Sequence, residues 1–373
     1  MKKLVALLLA LCMVLCLFAG CTKEEAATEE AATEEVAEEA ATEEVAEEAP
    51  AEEDAAAGMM IGWTFPTSNN EFWQIQKGYF ETTCNQFGLE FYSDDCNNDT
   101  AEQLADVEAM ISKGIDALIL APQDASVIAT VCGLCKDAGI PVIVIDRMPD
   151  DDVVAGEDYI CFIGPDDTTC GYNQTVALIE SGCTKLVALC GFKGTSVAEG
   201  RYAGLTAALE EYPEVELLGE DWCGENMDDG DEAIRNLYSA YPEMDGVWCY
   251  NDSLGLAATN VMKEFGVIAD VHCGGMDGLS DAAASIQSGE MFYTSGGHYM
   301  MASMATVVLY DYVNGVDYTE DLVVKLSLLG INPDTVDTYI ANYIESSDAI
   351  DWTAKSKALN GGADYGFASM LTF

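Results

Sequence analysis

Residues 117–145 read ALILAPQDASVIATVCGLCKDAGIPVIVI, two apolar runs separated by a longer mixed segment. Ala117–Leu120 and Pro141–Ile145 are short and continuously apolar, as strands buried on both faces of a sheet are. Ser126–Ala138 lies between them and has the length and apolar content of a helix. The order strand, helix, strand predicts a βαβ unit of a parallel sheet.

The same alternation recurs on both sides of this unit. Further strands are predicted at Met59–Phe65, Leu89–Tyr92, Tyr159–Phe162, Lys185–Leu189, Gly246–Tyr250, Asp270–Gly274 and Phe292–Ser295. Helices are predicted at Phe72–Phe87, Ala101–Lys113, Thr168–Ile179, Val197–Leu209, Ser253–Phe265, Leu279–Gln287 and Met300–Val313. About five units precede Asp150 and as many follow it, so we expect an α/β fold of two doubly wound, Rossmann-like lobes with parallel sheets.

The N-terminus has the features of an export signal. Lys2 and Lys3 precede an apolar run, Leu4–Phe18, which is short for a membrane span. The run ends in LFAGC at 17–21, which resembles a bacterial lipobox in which Cys21 is lipidated. We therefore expect residues 1–21 to be a lipoprotein signal peptide. An ordinary cleaved secretory signal and a retained membrane helix are the alternatives.

Residues 22–57 are of low complexity. The sequence AATEEVAEE at 31–39 is repeated at 40–48, and the segment holds 15 acidic residues against the single Lys23. It has no apolar stripe that could be buried, and its like charges repel at helical spacing. We expect a solvated spacer between the anchor and a domain at 58–373; a partner-binding tail is the alternative.

The charge balance excludes one class of partner. The chain has 66 acidic and 15 basic residues, a formal net charge of −51, and 58–373 alone holds 51 acidic against 12 basic residues. Phosphate recognition needs clustered Lys and Arg, so we expect no nucleic-acid partner.

Cysteine and histidine usage predicts no metal or other cofactor. Eleven of the 14 Cys lie outside the signal, an odd number that cannot pair completely within one chain. The one CxxC, Cys132–Cys135, falls inside a predicted apolar helix, where a core role is expected rather than a redox pair. There are only two His, and acidic runs such as 150–152 lack the spacing of a calcium loop.

Polar and aromatic residues follow the predicted strands directly. They are Pro66–Trp73, Asp146-Arg147, Gly191–Ser196 with Arg201 on the next helix, Asn251-Asp252 and Met276–Gly278. Ligand crevices of open parallel sheets lie at the carboxyl ends of the strands. Carboxylates, amides, guanidinium groups and aromatic faces together suit one polyhydroxylated ligand.

These residues resemble the sugar-binding proteins of ABC transporters that have the type I periplasmic-binding fold, and they are most similar to the ribose-binding branch. The similarity extends from about Met59 to about Leu329. The motifs occur in family order: Asn69-Asn70-x-Phe72-Trp73, Asp146-Arg147, Gly194-Thr195-Ser196, Arg201-x-x-Gly204, Asn251-Asp252 and Asp277-Gly278.

The resemblance implies two lobes joined by a hinge. Lobe 1 would comprise about 58–150 and 298–323, and lobe 2 about 158–297 with part of the C-terminal tail. Crossovers would lie near Arg147–Asp158, Gly297–His298 and Leu322–Lys325.

The resemblance also implies a ligand-binding role for a set of residues. They are Asn70, Phe72, Trp73, Asp146, Arg147, Arg201, Asn251, Asp277, His298 and Trp222. Eight of them have an ordinary alternative. It is a helix N-cap for Asn70, core packing for Phe72 and Trp73, a hinge ion pair for Asp146-Arg147, a link to an interlobe loop for Arg201, a turn for Asn251 and a strand-end cap for Asp277. Asp252 is expected to cap its helix.

The chain departs from the ribose-binding pattern at three places. Gly296-Gly297-His298 stands where a ligand amide is expected. Trp222 is the nearest candidate for a second-lobe ligand aromatic, but unchanged spacing falls on Glu225, which would permit an amino sugar. A longer tail follows Asp334, with Trp352 and Tyr365.

We therefore expect a monomeric extracytoplasmic lipoprotein, anchored to the outer face of the cell membrane, that captures a sugar or sugar-like polyol and delivers it to an ABC permease. A tethered receptor that signals to a sensor kinase or chemoreceptor is the alternative. A glycosidase that uses Asp146 and Asp277 as acid and base is a weaker one, since the sequence contains no other catalytic motif.

Overall fold

The computed structural model describes residues 58–150, 152–344, 350–362 and 364–373. The strands, in chain order, are β1 (Met60–Phe65), β2 (Glu90–Asp95), β3 (Ala117–Leu120), β4 (Val142–Ile145), β5 (Phe162–Pro165), β6 (Lys185–Cys190), β7 (Glu216–Trp222), β8 (Gly246–Cys249), β9 (His272–Cys273), β10 (Thr294–Gly296), β11 (Val323–Leu326) and β12 (Leu329–Ile331).

Eight of the α-helices in the described residues begin and end close to the predicted positions; the helices at Met227–Ala240, Val336–Tyr339 and Lys357–Asn360 are additional. In chain order, the helices are α1 (Glu71–Phe87), α2 (Thr100–Lys113), α3 (Ile128–Ala138), α4 (Asp167–Glu180), α5 (Ser196–Glu211), α6 (Met227–Ala240), α7 (Asp252–Glu264), α8 (Ser280–Gln287), α9 (Met301–Val313), α10 (Val336–Tyr339) and α11 (Lys357–Asn360). Side chains of Asn70, Asp99, Asp166 and Thr195 cap the N-termini of α1, α2, α4 and α5 by accepting backbone hydrogen bonds.

Two parallel sheets form two lobes, which confirms the predicted fold class. The sheet of lobe 1 has the strand order β11-β5-β4-β3-β1-β2, and that of lobe 2 has the order β7-β6-β8-β9. In β3, Leu118 and Leu120 pack with α2 and α3 on one face, whereas Ile119 packs with α1 and α9 on the other. Burial on both faces explains why these strands read as unbroken apolar runs.

The first and third crossovers lie later in the chain than predicted. Since β5 pairs with β4, the chain leaves lobe 1 after Pro165 and not between Arg147 and Asp158. Likewise β11 pairs with β5, so the last crossover follows Leu326. The second crossover joins β10 to α9 through the segment that contains Gly297 and His298.

The C-terminal tail, part of which we expect in lobe 2, packs mainly against lobe 1 and contacts lobe 2 through its first turns. The Trp352 side chain is 1% exposed, and its backbone N–H donates to Gln86 Oε1 of α1 at 2.8 Å. Asp311 of α9 accepts hydrogen bonds from Ser356 and from the backbone of Lys357. Among the described residues of the tail, α10 and the turn that follows it, Ile340–Ile344, pack against α8 of lobe 2.

All eleven cysteines of the described residues are free thiols, and ten of them are buried. Cys132 and Cys135 lie in the core of lobe 1, as expected for a structural role, and burial raises the pKa of each thiol to about 12.

The described residues contain neither a membrane-spanning helix nor a cluster of metal ligands. None of the helices there has the length and apolar character of a membrane span. That part of the chain also contains no group of three or more His, Cys, Asp and Glu side chains arranged to hold a metal ion.

Candidate ligand-binding cleft

A cleft between the lobes brings together nine of the ten predicted site residues. The residues that line it are Asn70, Phe72, Trp73, Asp146, Arg147, Val197, Arg201, Glu225, Tyr250, Asn251, Asp277 and His298. They come from both lobes and, for the most part, from loops at the carboxyl ends of strands, where parallel sheets place their ligand crevices. The cavity among them measures only about 30 Å³.

The aromatic wall comes from the start of α1. Phe72 and Trp73 are each 5% exposed, and their rings meet edge to face at 5.0 Å. Asn70 accepts a hydrogen bond from the Phe72 N–H at 2.9 Å, so it is the N-cap of α1 as well as a cleft residue. This cap uses only the carbonyl oxygen, and the Nδ2 group can still donate to a ligand.

Asp146 occupies a strained turn directly after β4. Its φ is 70°, in the left-handed region, and the Arg147 N–H donates to the Ile145 carbonyl across it at 2.9 Å. Such three-residue turns are rare for residues other than glycine and concentrate at functional sites. The turn directs the carboxylate into the cleft, where burial raises its pKa and the neighbouring Arg147 partly offsets that rise.

Arg147 lies between carboxylates of the two lobes. Its Nη1 donates to the backbone carbonyl of Gln123, which fixes the guanidinium in lobe 1. Its Nε is 3.8 Å from Asp146 Oδ2, and its Nη2 is 3.7 Å from Glu225 Oε2 of lobe 2. The Asp146–Arg147 pair lines the cleft and its charges lie close together, but it is not at the hinge that we considered as the alternative, because the chain leaves lobe 1 only after Pro165.

Arg201 is held rigidly by lobe 2. Its Nε donates to Asp167 Oδ1 at 2.9 Å and its Nη1 to the Tyr250 carbonyl at 2.8 Å, while its guanidinium lies over the Tyr250 ring. A Cβ at Gly171 of α4 would collide with the Arg201 carbonyl, so the two helices touch at a glycine and the Arg201 backbone is fixed. The structural link that we considered for Arg201 is therefore present beside its cleft position.

Asp277 is the second carboxylate with a left-handed backbone. Its φ is 130°, and its N–H donates to the Ser295 carbonyl at 2.7 Å. Its Oδ1 lies 3.9 Å from Arg201 Nη1 and 3.7 Å from His298 Nε2. Burial raises the pKa of Asp277 well above its ordinary value, and Arg201 opposes the shift.

His298 follows the second crossover and packs on the aromatic wall. Its ring centroid is 4.7 Å from that of Phe72. Burial and the nearby Arg201 hold the pKa of His298 well below 6.5, so the imidazole is neutral at pH 7. Its Nδ1 is buried and has no hydrogen-bond partner in the part of the chain that the structure describes.

Asn251 lines the cleft and also has the capping role that was expected of Asp252. Asn251, and not Asp252, is the N-cap of α7, because its Oδ1 accepts from the Leu254 N–H. The Asn251 Nδ2 donates to the Glu225 carbonyl at 2.8 Å. Asp252 is fully buried and accepts hydrogen bonds from the Thr294 hydroxyl and the Leu279 N–H, which tie α7 to β10 and α8.

The structure does not bring Trp222 to the cleft. Its indole packs on the Tyr202 ring at 5.1 Å, and its N–H donates to Glu220. Trp222 is the last residue of β7, an edge strand on the side of the sheet away from β8. Glu225, three residues further on, lines the cavity instead and accepts a hydrogen bond from the Tyr250 hydroxyl at 3.1 Å.

Tyr250 is a cleft residue that sequence reasoning did not single out. The only available signal was its position at the end of the predicted strand before Asn251. With these residues the cleft has acceptor carboxylates and rigid guanidinium donors from both lobes beside an aromatic wall. Such a set can bind a small, strongly hydrogen-bonding molecule whose faces are apolar.

Comparison with known proteins identifies the family. Residues 61–317 match the family model described as periplasmic binding protein domain. The xylitol-binding protein of Mycolicibacterium smegmatis is 27% identical over 277 residues, which cover 73% of this chain and 75% of that protein. The ribose import binding protein of Bacillus subtilis is 26% identical over 272 residues, 72% of this chain and 86% of that protein.

Solved structures show the same fold. A periplasmic sugar-binding protein from Pseudomonas fluorescens superposes with a TM-score of 0.75 at 22% identity, covering 83% of this chain and 98% of that one. An ABC transporter solute-binding protein from Bacillus halodurans with bound myo-inositol gives 0.70 at 24% identity, with coverage of 77% and 99%. Because the family match spans more than half of the chain, the protein belongs to the periplasmic binding protein family, and its two lobes have the type I fold.

Proposed function

We propose that this protein is an extracytoplasmic solute-binding protein that captures a sugar or a polyol between its lobes and delivers it to an ABC permease. The relatives are named as xylitol- and ribose-binding proteins, and a structural neighbour holds myo-inositol. These ligands share closely spaced hydroxyl groups. We assign no catalytic role to Asp146 and Asp277, because the matched relatives are named as binding proteins.

The observation that carries the proposal is the pair of carboxylates with left-handed backbones, one from each lobe. Each lies beside a guanidinium group, Asp146 near Arg147 and Asp277 near Arg201. A carboxylate accepts two hydroxyl hydrogens, and a guanidinium group donates to the adjacent oxygens of the same ring or chain. The Phe72 and Trp73 rings supply a flat apolar surface for the C–H face of the ligand.

The small cavity implies that the lobes separate for a ligand to enter. About 30 Å³ is enough for one or two waters and far less than a sugar ring needs. Three crossovers connect the lobes, and rotation about them would open the cleft. The ligand then favours the closed form only through contacts with both lobes at once, and the permease recognises the closed form.

A thermal-shift screen of pentoses, hexoses, pentitols and cyclitols, together with their amino derivatives, tests this function. A ligand at about 100 times its Kd stabilises the folded protein by about 2.7 kcal/mol, so a clear rise in Tm is expected for at least one compound. If none of the compounds raises Tm, or if a glycoside is hydrolysed at the cleft, the proposed function is wrong.

The lipid anchor forms part of the proposal. Cys21 and the spacer at 22–57 lie outside the described residues, so their assignment depends on the sequence alone. The Cys21→Ser variant should leave the membrane fraction while wild type remains there after a high-salt wash. Cofractionation of both proteins with membranes would contradict lipidation at Cys21.

A further inference from the structure

The charges that face the cleft do not balance. Each of the two arginines of the cleft, Arg147 and Arg201, lies near two carboxylates. Arg147 is 3.8 Å from Asp146 and 3.7 Å from Glu225. Arg201 is 2.9 Å from Asp167 and 3.9 Å from Asp277. Asp167 does not line the cavity, so three carboxylates, those of Asp146, Glu225 and Asp277, face two guanidinium groups there and one carboxylate is in excess.

His298 does not supply the missing positive charge. It is 1% exposed, and its pKa lies well below 6.5, so it stays neutral at pH 7. Its buried Nδ1 has no hydrogen-bond partner among the described residues, and His298 is one of the residues that line the cavity.

Glu225 is the carboxylate that the cleft does not need for its own packing. Its carboxylate accepts a hydrogen bond from the Tyr250 hydroxyl at 3.1 Å and lies 3.7 Å from Arg147 of the opposite lobe, whereas the hydrogen bond from Asn251 goes to its backbone carbonyl. Its side chain is 23% exposed, against 10% for that of Asp146 and 9% for that of Asp277. Glu225 therefore has free acceptor positions at the edge of the cavity.

Burying an excess of negative charge costs free energy unless a cation or a proton accompanies it. A neutral polyol brings no cation, so closure around it would require a carboxylate to take up a proton. A ligand with an ammonium group brings the charge itself, and its three N–H donors match acceptors that have no partner.

We propose that the ligand is an amine-bearing polyol, an amino sugar, amino-alditol or aminocyclitol, whose ammonium group binds Glu225. This inference rests on the proposed function and specifies its ligand class. The hydroxyl groups of such a ligand would occupy the positions described for Asp146 and Asp277, and its amine would lie toward the Glu225 and Tyr250 side of the cleft.

Calorimetric titration of the full chain at pH 7.5 with matched pairs tests the proposal. The pairs are D-glucosamine with D-glucose, 1-amino-1-deoxy-D-sorbitol with D-sorbitol, and scyllo-inosamine with scyllo-inositol. We expect the amine of at least one pair to bind at least tenfold more tightly than its neutral parent. In Glu225→Gln that ratio should fall toward one, whereas Glu232→Gln, which removes an exposed charge of the same lobe outside the cleft, should keep it.

Two results would overturn the inference, and they are distinguishable. In the first, a neutral parent binds as tightly as its amine, and the difference between the binding enthalpies in phosphate and Tris buffers shows proton uptake. A proton on a cleft carboxylate then neutralises the excess negative charge, so the amine proposal fails while sugar or polyol binding stands. If no amine and no neutral compound of these pairs or of the wider screen binds, the proposed function fails as well. The wild-type comparison needs no variant, so a folding defect in Glu225→Gln would not obscure the outcome.

Discussion

Replacing Asp277 by Asn should weaken ligand binding and at the same time stabilise the ligand-free protein. Asn keeps the size of the side chain and tolerates the left-handed φ of 130°, whereas Ala would add backbone strain. The substitution therefore removes the charge and little else.

The loss of affinity follows from charge-assisted hydrogen bonding. A hydrogen bond to a charged group contributes about 1.5–3 kcal/mol and one between neutral groups about 0.5–1.5 kcal/mol. The difference, about 1–1.5 kcal/mol for each hydroxyl bound, corresponds to about tenfold in Kd for one hydrogen bond and about a hundredfold for two.

The gain in stability follows from the raised pKa of Asp277. An unfolded Asp ionises near 3.9, whereas burial raises the pKa of the folded Asp277 well above that value. Between these two pKa values the unfolded chain releases a proton that the folded chain retains, so rising pH destabilises the folded state. Asn cannot ionise and avoids this penalty, and each 1 kcal/mol gained raises Tm by about 2 °C in a protein of this size.

The assay pairs thermal unfolding without ligand with calorimetry on the ligand selected by the screen, both at pH 7.5. Asp270→Asn is the matched control, because Asp270 is an exposed acid of the same lobe. If Asp277→Asn lowers Tm sharply and leaves Kd unchanged, Asp277 is a scaffold residue and the argument is refuted.

Three further variants probe other parts of the molecule. Trp73→Phe should abolish most of the ligand-induced fluorescence change, and Trp222→Phe should retain it; the reverse pattern would place the reporter outside the cleft. Burial raises the pKa of Asp167 to about 7 although Arg201 opposes the shift, so ionising this carboxyl group destabilises the folded protein. Between pH 5 and 8 the Tm of wild type should therefore fall more than the Tm of Asp167→Asn. Identical dependence of Tm on pH in the two proteins would argue against this pKa shift. Trp352→Ala should lower the free energy of unfolding by about 3–5 kcal/mol, since the side chain is buried in lobe 1. Leu359→Ala, at an exposed position, should lower it little. Equal losses for the two variants in urea unfolding would contradict the packing of the C-terminal tail against lobe 1.

The apolar periodicity predicted the lobes but not every strand. β3 and β4 were evident because both of their faces are buried, which removes polar residues from the run. β7 was missed because Glu216–Trp222 is a partly exposed edge strand that contains three acidic residues. β5 begins and ends later than predicted. Its second half reads Gly164-Pro165, residues typical of a turn, but in the structure these two residues pair with the edge strand β11.

The cleft was predictable where residues follow strands directly. Asp146 and Asp277 occupy such positions, and the fold of parallel strands brings their ends together. Trp222 could not be placed correctly, because the loop between β7 and α6 sets whether Trp222 or Glu225 reaches the cavity, and loop geometry has no periodic signal. The same limit applied to the tail, whose contacts with Gln86 and Asp311 join residues far apart in sequence.

A crystal structure of the protein grown with the ligand selected by the screen tests the central claim most directly. We expect ligand density against the Phe72 ring, with hydroxyl groups of the ligand within hydrogen-bond distance of Asp146 of one lobe and Asp277 of the other. Density in either of the larger cavities would contradict it, whether in the 270 Å³ cavity beside Tyr79 and Tyr343 or in the 440 Å³ groove beside Lys136 and Tyr312.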